Sequence, residues 1–523
     1  MQTSIQALIC AASVAIVVAI PLGAVINQPV RTANGQVSGA PSADAAVVAF
    51  KGIPYAAPPV GDLRWRAPMP PISWKGVRKA QEFGDSCIQN IVEERKPWTS
   101  EFMAHNKIGE DCLYLNVWRP AKAASDKLPV YFWIHGGGYV EGSSAVPIYN
   151  GENLARRGVV VVTINYRLGV LGFLAHPELT KEADHSGNYG LLDQVAALKW
   201  VQRNIAAFGG DPGNVTISGQ SAGASSVHSL VASPLTSGLF HRAIAESGAG
   251  YVAQKRLQNL TQAERNGANF AAAKGAKDLK ELRALSPEKL MAKISDGPSS
   301  AFRLIIDGYF LTADPNEIYA QGKQNDVPEL TGMNLDERSS TPDYGIIPMA
   351  DYRKTVAERY GDLAAFFKLY PNGTRAESGA SQKAAFRDAG LVSMFMWAEL
   401  RAKTAKSKAF TYYWTHAEPG PDRDRYGAFH TSEVPYVFNT LNESKRPWTE
   451  EDRKIADTLG AFWINFMKSG DPNGGRLPQW APFRSNSAVT MELGNHMGTR
   501  PVADPLKLDF WRQYLVRSNS VVP

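Results

Sequence analysis

The chain has 523 residues, 44% of them hydrophobic and 20% charged, enough apolar material for an ample core. Its net charge of +6 is spread out, with no basic run of five or more residues, so it carries no nucleic-acid-binding signature. Length alone suits two or three domains, or one α/β core with long insertions.

Residues 1–30 differ from the rest, with no charged side chain before Arg31. Residues 7–20 are a nearly unbroken apolar run, followed by Pro21, Gly23 and Ala24. This pattern predicts a secretory signal peptide over residues 1–24, extending to about 30 at most. The basic flank of such leaders is missing, so an uncleaved N-terminal anchor is the alternative. The run is short for a membrane span and is broken by Pro21. Cys10 follows Ile9, a poor fit to a lipoprotein site. No later apolar run is long enough to span a bilayer, so no stable membrane insertion is expected after cleavage, and a secreted or periplasmic location is. Cys87 and Cys112 are then the only cysteines left. Two cysteines in an exported chain point to one disulfide; two buried free thiols are the alternative.

Segments 35–39 and 45–50 suggest an N-terminal β-hairpin, before a Pro-rich stretch at 52–59. Residues 113–118 alternate as a strand does. Leu128–Ile134 is a continuous apolar strand of the kind covered on both faces, and 159–164 is another. Residues 190–206 have helical periodicity, and Asp211-Pro212 closes that unit. Strands alternating with helices predict a largely parallel sheet with helices on both faces. From about 251 the chain becomes rich in Ala, Lys, Glu and Leu. Residues 255–300 and 351–407 are expected to be helical, with strands at 330–333 and 410–414. The helical insertions, at about 251–330 and 340–407, are expected to cap one domain spanning 31–523. There is no internal repeat, low-complexity tract or metal-ligand cluster, so neither metal nor cofactor is expected.

Gly219-Gln220-Ser221-Ala222-Gly223 fits the G-x-S-x-G nucleophile elbow. The β-branched segment 214–218 precedes it as a strand, and the small, apolar segment 224–231 follows as a helix. Strand, sharp turn and helix are the context this motif needs, because the turn lifts the hydroxyl out of the sheet edge. A serine hydroxyl is a poor nucleophile at neutral pH and needs a base, a group that orients the base, and donors for an oxyanion. His135-Gly136-Gly137-Gly138-Tyr139 follows the apolar strand, and its glycines let backbone N–H groups of Gly137 and Gly138 turn toward one point. The Ala222 N–H would be the donor beside the nucleophile.

These blocks resemble the type-B carboxylesterase family, the cholinesterase-like α/β-hydrolases, over nearly the whole chain after the leader. The resemblance runs through 50–59 with Leu63-Arg64-Trp65, through Glu110-Asp111-Cys112-Leu113-Tyr114-Leu115-Asn116-Val117, and through 165–169, 187–194 and 208–212. It implies an α/β-hydrolase fold, a disulfide at Cys112, no cofactor, and hydrolysis of a small-molecule carboxylic ester through an acyl-enzyme. The family's acid lies in an Asn-x-Asp-Glu-Gly stretch. Here Asn334-Leu335-Asp336-Glu337-Arg338 makes Glu337 the matching acid, with Asp336 the neighbouring competitor. Arg338 stands where the family has glycine; it lowers the pKa of the neighbouring acid, binds an anionic substrate group, or faces solvent. His416, His430 and His496 are the histidines after the acid. Gly427-Ala428-Phe429-His430, with Glu433 and Phe438 beyond, resembles the family's G-x-x-H segment, so His430 is the expected base.

Gln220 stands where cholinesterases carry glutamate, which lowers the expectation of choline esters and favours neutral or carboxylated ones. Bacterial members of the family it resembles include fumonisin esterases, which remove carboxylate-rich side chains. An amide, carbamate or lactone hydrolase with the same machinery is the nearest rival. A non-catalytic adhesion domain is disfavoured by the intact Ser221, Glu337 and His430. Asn-x-Ser/Thr sequons at Asn259 and Asn372 matter only in a eukaryotic host.

Overall fold

The computed structural model describes residues 29–121, 127–248, 257–292, 302–361 and 363–520. The expected signal peptide and Cys10 lie outside these residues. Eleven strands form one sheet: β1 (Ala40–Pro41), β2 (Val47–Pro54), β3 (Tyr114–Pro120), β4 (Leu128–Ile134), β5 (Val160–Ile164), β6 (Gly210–Gln220), β7 (Arg242–Glu246), β8 (Glu329–Asn334), β9 (Ala409–Trp414), β10 (Val489–Leu493) and β11 (Gly498–Pro501). Their spatial order is β11-β10-β9-β8-β7-β6-β4-β5-β3-β2-β1. The run from β5 to β10 is parallel throughout. Antiparallel strands finish both sides.

The apolar strands are buried on both faces because their side chains alternate. Val130, Phe132 and Ile134 of β4 join one core cluster, and Tyr131 and Trp133 join the other. Among the helices are α1 (Tyr189–Asn204), α2 (Ala222–Ala232), α3 (Leu260–Ala273), α4 (Arg375–Ala402), α5 (Glu450–Ser469) and α6 (Pro505–Ser520). α1 and α2 cover the first face through Leu191, Leu198, Val227 and Leu230, and α5 covers the second through Ile455, Leu459, Phe462 and Trp463. α4 packs on β8, β9 and α6. A third cluster joins α4 to α6 through Leu391, Phe395 and Trp511. α3 opens with a capping box in which Asn259 and Gln262 exchange side-chain and backbone bonds.

The expected N-terminal hairpin forms differently. Gly35–Ser38 pairs with Val30–Thr32 and with Val77–Lys79 in a separate three-stranded sheet. β2 meets only the two-residue β1 on that side and pairs mainly with β3. Pro41 has no N–H to extend the β1 ladder. Asp211-Pro212 does not precede the nucleophile strand but lies within β6, which slips register against β4 between Gly210 and Val215. Cys87 and Cys112 are disulfide-bonded.

One feature of the topology positions the site. The chain passes from β4 to β5 on one side, then returns to lay β6 on the other side of β4. The carboxyl ends of β4 and β6 therefore open side by side at the point where strand order reverses. A crevice at such a switch point is where open α/β sheets bind ligands.

Candidate active site

Ser221 sits one residue past β6 with φ 58° and ψ −119°, a strained conformation that a serine adopts only under surrounding constraint. Its N–H is held by Glu246 O of the neighbouring strand at 2.8 Å. The flanking glycines are required by space. A Cβ on Gly219 would stand 2.6 Å from the Gly223 carbonyl carbon, and one on Gly223 would stand 2.1 Å from Ile134 O. The elbow is thus wedged against the end of β4. Ala222 opens α2, so its N–H has no intrahelical acceptor.

The glycine run after β4 lies against the serine: a Cβ on Gly136 would be 3.1 Å from Ser221 Cβ. Gly137 and Gly138 have φ of 106° and 63°, left-handed backbone that glycine adopts without strain. Among the described residues their N–H groups donate to no protein acceptor. His135 is buried and stacked 4.5 Å from Tyr166, whose hydroxyl donates to His135 O at 2.8 Å. Burial lowers the His135 pKa to about 4, which keeps this imidazole neutral.

Glu337 and His430 are in contact, and His430 lines the same cavity as Ser221. Glu337 Oε2 contacts His430 Nδ1, and Glu337 Oε1 accepts from Asn334 N at 2.7 Å. Their side chains are 21% and 22% exposed, open enough for a substrate to reach the imidazole. Burial opposes the Glu337 charge, but His430 and the Asn334 N–H outweigh it and lower its pKa. Burial likewise opposes the His430 cation, and Glu337 outweighs it, so the imidazole pKa is raised. The His430 backbone is pinned by Trp98, whose Nε1 donates to His430 O at 2.9 Å.

A cavity of about 260 Å³ joins these parts. Gly136, Gly137, Gly138, Gln220, Ser221 and His430 line its floor. Trp98, Phe102, Met103, Val140, Val146 and Tyr149 make much of its wall apolar. A hydroxyl on a strained turn, an imidazole backed by a carboxylate, and acceptor-free N–H groups are the parts that acyl transfer needs.

The competing residues lie elsewhere. Asp336 is buried and held by Arg387 at 2.9 Å, Lys383 at 3.3 Å and the Tyr344 hydroxyl at 3.2 Å, away from the imidazole contact. His416 is buried with both ring nitrogens engaged, by Asp452 at 2.8 Å and Asn495 at 2.6 Å. His496 is exposed beyond β10. Arg338 is exposed, its guanidinium 5.6 Å from the Phe386 ring, and is not among the residues lining the cavity.

Three polar groups near the site escaped the sequence reading: Gln89, Glu246 and Glu433. Glu433 is fully buried, bonded by Asn334 Nδ2 at 2.5 Å, and its pKa is raised by burial and by the Glu337 charge. Glu246 is also fully buried, accepts from Trp463 Nε1 at 2.9 Å, and is raised by burial and by Glu433. Glu433 stands inside the matched E-x-x-x-x-F segment, which is its signal in the sequence. Gln89 had only its place two residues after Cys87.

The parallel sheet, its switch point and the elbow define an α/β-hydrolase. The model described as "Carboxylesterase family" matches residues 27–511, and the chain belongs to that family of carboxylic-ester hydrolases. Fumonisin B1 esterase of Sphingopyxis macrogoltabida is 38% identical over 498 residues, spanning 92% of this chain and 89% of that one. Para-nitrobenzyl esterase of Bacillus subtilis (strain 168) is 34% identical over 502 residues, spanning 90% and 96%. A solved PNB esterase structure superposes with a TM-score of 0.77 at 32% identity, covering 94% of this chain and 99% of that one.

Proposed function

We propose that the protein hydrolyses carboxylic esters through an acyl-enzyme on Ser221, with His430 as general base and Glu337 as the acid that orients it. The observation that carries this reading is the contact of Glu337 Oε2 with Nδ1 of His430, which lines the same cavity as Ser221 and the glycine run. His430 Nε2 takes the Ser221 proton as Oγ bonds to the ester carbonyl carbon. The carbonyl electron pair moves onto oxygen, which accepts from the N–H groups of Gly137, Gly138 and Ala222. The tetrahedral species collapses, the C–O bond to the alcohol breaks, and His430 gives the alcohol its proton. Water then attacks the acyl group with His430 again as base, and Ser221 is released. Glu337 stays ionised throughout.

Neutral or carboxylated esters are favoured over choline esters. Gln220 is 2% exposed and brings an uncharged amide to 3.3 and 3.5 Å from the His430 ring nitrogens. Arg95 also lines the cavity, its guanidinium 5.7 Å from the Trp98 ring, so a cation already stands beside the aromatic group that a quaternary ammonium would seek. Arg95 is itself paired with Glu141 at the rim. Wild type and Ser221→Ala are to be compared on p-nitrophenyl butyrate, then wild type on fumonisin B1, a neutral ester and butyrylcholine. Turnover by wild type alone, ranked with butyrylcholine last, supports the reading. Equal turnover by Ser221→Ala would remove it.

The same reading includes export, supported by the apolar run at 7–20 and by the disulfide, which forms in oxidising compartments. N-terminal sequencing of the exported protein should find cleavage near residue 24; an intact leader would favour the anchor.

A further inference from the structure

The glycine loop that carries the Gly137 and Gly138 N–H groups folds back on itself. Gly137 O accepts from Val140 N at 3.0 Å and from Glu141 N at 3.1 Å. A Cβ on Gly137 would stand 2.1 Å from Glu141 O. Gly142 closes the loop with φ 112°, and a Cβ there would meet His135 Nδ1 at 2.4 Å and Gly136 O at 2.5 Å. The end of the loop is therefore in contact with its start. Where Gly142 sits decides where the two N–H groups point.

Gly142 is held by one side chain. Gln89 Oε1 accepts from Gly142 N at 2.8 Å, and Gln89 Nε2 donates to Gly142 O at 2.8 Å. Among the described residues these are the only hydrogen bonds of the Gly142 backbone. The second Gln89 Nε2 hydrogen goes to Cys87 O at 3.0 Å, and the residue is 5% exposed. Gln89 thus pairs with Gly142 as a neighbouring strand would, with one amide matching one peptide. It lies two residues from Cys87, whose disulfide to Cys112 closes this stretch of chain. Ser86 Oγ adds a bond to Ser143 Oγ at 2.6 Å, just beyond Gly142.

We infer that Gln89 is a positioning residue for the oxyanion donors, coupling the disulfide-closed loop to the glycine run through the Gly142 backbone. The inference rests on the serine-esterase reading above. Gln89 acts through Gly142 and gives nothing to the reacting atoms itself. Removing its amide leaves a half-buried N–H and a half-buried C=O of Gly142 without their partner, and the loop shifts as they seek others. A displacement near 1 Å in such donors costs on the order of 10²-fold in rate.

The test uses Gln89→Leu, which removes both bonds at similar volume, and Gln89→Glu, which keeps the acceptor for Gly142 N but loses the donor to Gly142 O. Each is compared with wild type for kcat and KM on p-nitrophenyl butyrate, for thermal midpoint, and for Ki of an aryl trifluoromethyl ketone. Ser221 Oγ adds to that ketone carbonyl, its proton passes to His430, and the resulting alkoxide occupies the oxyanion position. Gln89→Leu should lose on the order of 10- to 100-fold in kcat with KM within about threefold. Gln89→Glu should lose less. In both, Ki should rise by the factor by which kcat/KM falls. A merely structural role would lower the thermal midpoint while leaving Ki and kcat of the folded enzyme at wild-type values, and that result overturns the inference. Should Gln89→Leu fail to fold, Gln89→Glu decides by the same two readouts. Wild type that neither turns over the ester nor binds the ketone would remove the underlying site reading, and the inference with it. Normal wild type with an unaffected Gln89→Glu and Gln89→Leu removes the inference alone.

Discussion

Asp336 and Phe429 form an isolated parallel β-bridge beyond the ends of β8 and β9, with Asp336 N donating to Ala428 O at 2.9 Å. Glu337 and His430 are the next residues along the two segments, so the bridge sets their side chains face to face. Asp336 also anchors its own side: its carboxylate takes the Ala428 N–H at 3.2 Å and binds Arg387 and Lys383. Adjacent acids therefore do two jobs, one tying the segments together and one addressing the imidazole.

Replacing Glu337 by Gln should lower kcat by about four orders of magnitude, the scale seen when a triad carboxylate becomes an amide. The pH profile gives a sharper readout. Burial pushes the His430 pKa down and the Glu337 charge more than reverses it, so the wild-type acid limb of kcat/KM should lie above the ordinary imidazole value. The base must be neutral, so activity rises as pH passes that limb. Without the charge, burial gains weight and the limb should move to lower pH. An unmoved limb would place the titrating group elsewhere.

Gln220→Glu tests the reading of the amide beside the imidazole. A carboxylate 3.3 Å from the ring would favour the His430 cation and raise the acid limb on the order of one pH unit. The same charge should improve the kcat/KM ratio of butyrylcholine to p-nitrophenyl butyrate. A selectivity unchanged by the substitution would remove Gln220 from any part in substrate charge preference.

His416 separates a structural histidine from the proposed base. Its ring bridges Asp452 and Asn495, and Asp452 also takes the Tyr436 hydroxyl at 2.8 Å. His416→Ala leaves that buried carboxylate short of a partner and should cost about 3 kcal/mol, read from a denaturant midpoint. Well below the unfolding temperature, kcat and the acid limb should stay at wild-type values. Burial raises the Asp452 pKa, but hydrogen bonds from Thr449, His416 and Tyr436 lower it further, to a net value below the ordinary carboxylate. Its stabilising share is therefore present above about pH 4 and lost as pH falls through the depressed value.

Cys112→Ser opens the loop closed by a disulfide with a sequence separation of 25. On the chain-entropy estimate it should cost about 3.5 kcal/mol, measured from the urea midpoint, with a steeper slope because the opened unfolded chain exposes more surface. A shift under about 1 kcal/mol would mean the loop is held equally well by its other bonds.

What was legible in the sequence is what local spacing determines. Gly219 and Gly223 are written into the elbow because any Cβ there collides with β4 or the turn itself. Leu128–Ile134 is legible as a doubly covered strand because every residue in it is apolar or, like Pro129, tolerated. β7, β10 and β11 went unread: they are short, and their burial depends on neighbours distant in the chain. Glu337 could be told from Asp336 only by motif resemblance, since one residue of register decides which carboxylate meets His430. Gln89 was invisible because its two bonds reach 53 residues along the chain.

The most direct measurement is to treat the wild-type enzyme with diethyl p-nitrophenyl phosphate and locate the phosphoryl adduct by peptide mass spectrometry. One diethylphosphoryl group on Ser221, formed as esterase activity disappears, is the expected result. Loss of activity with the adduct on another residue, or full activity with Ser221 modified, would contradict a nucleophilic Ser221.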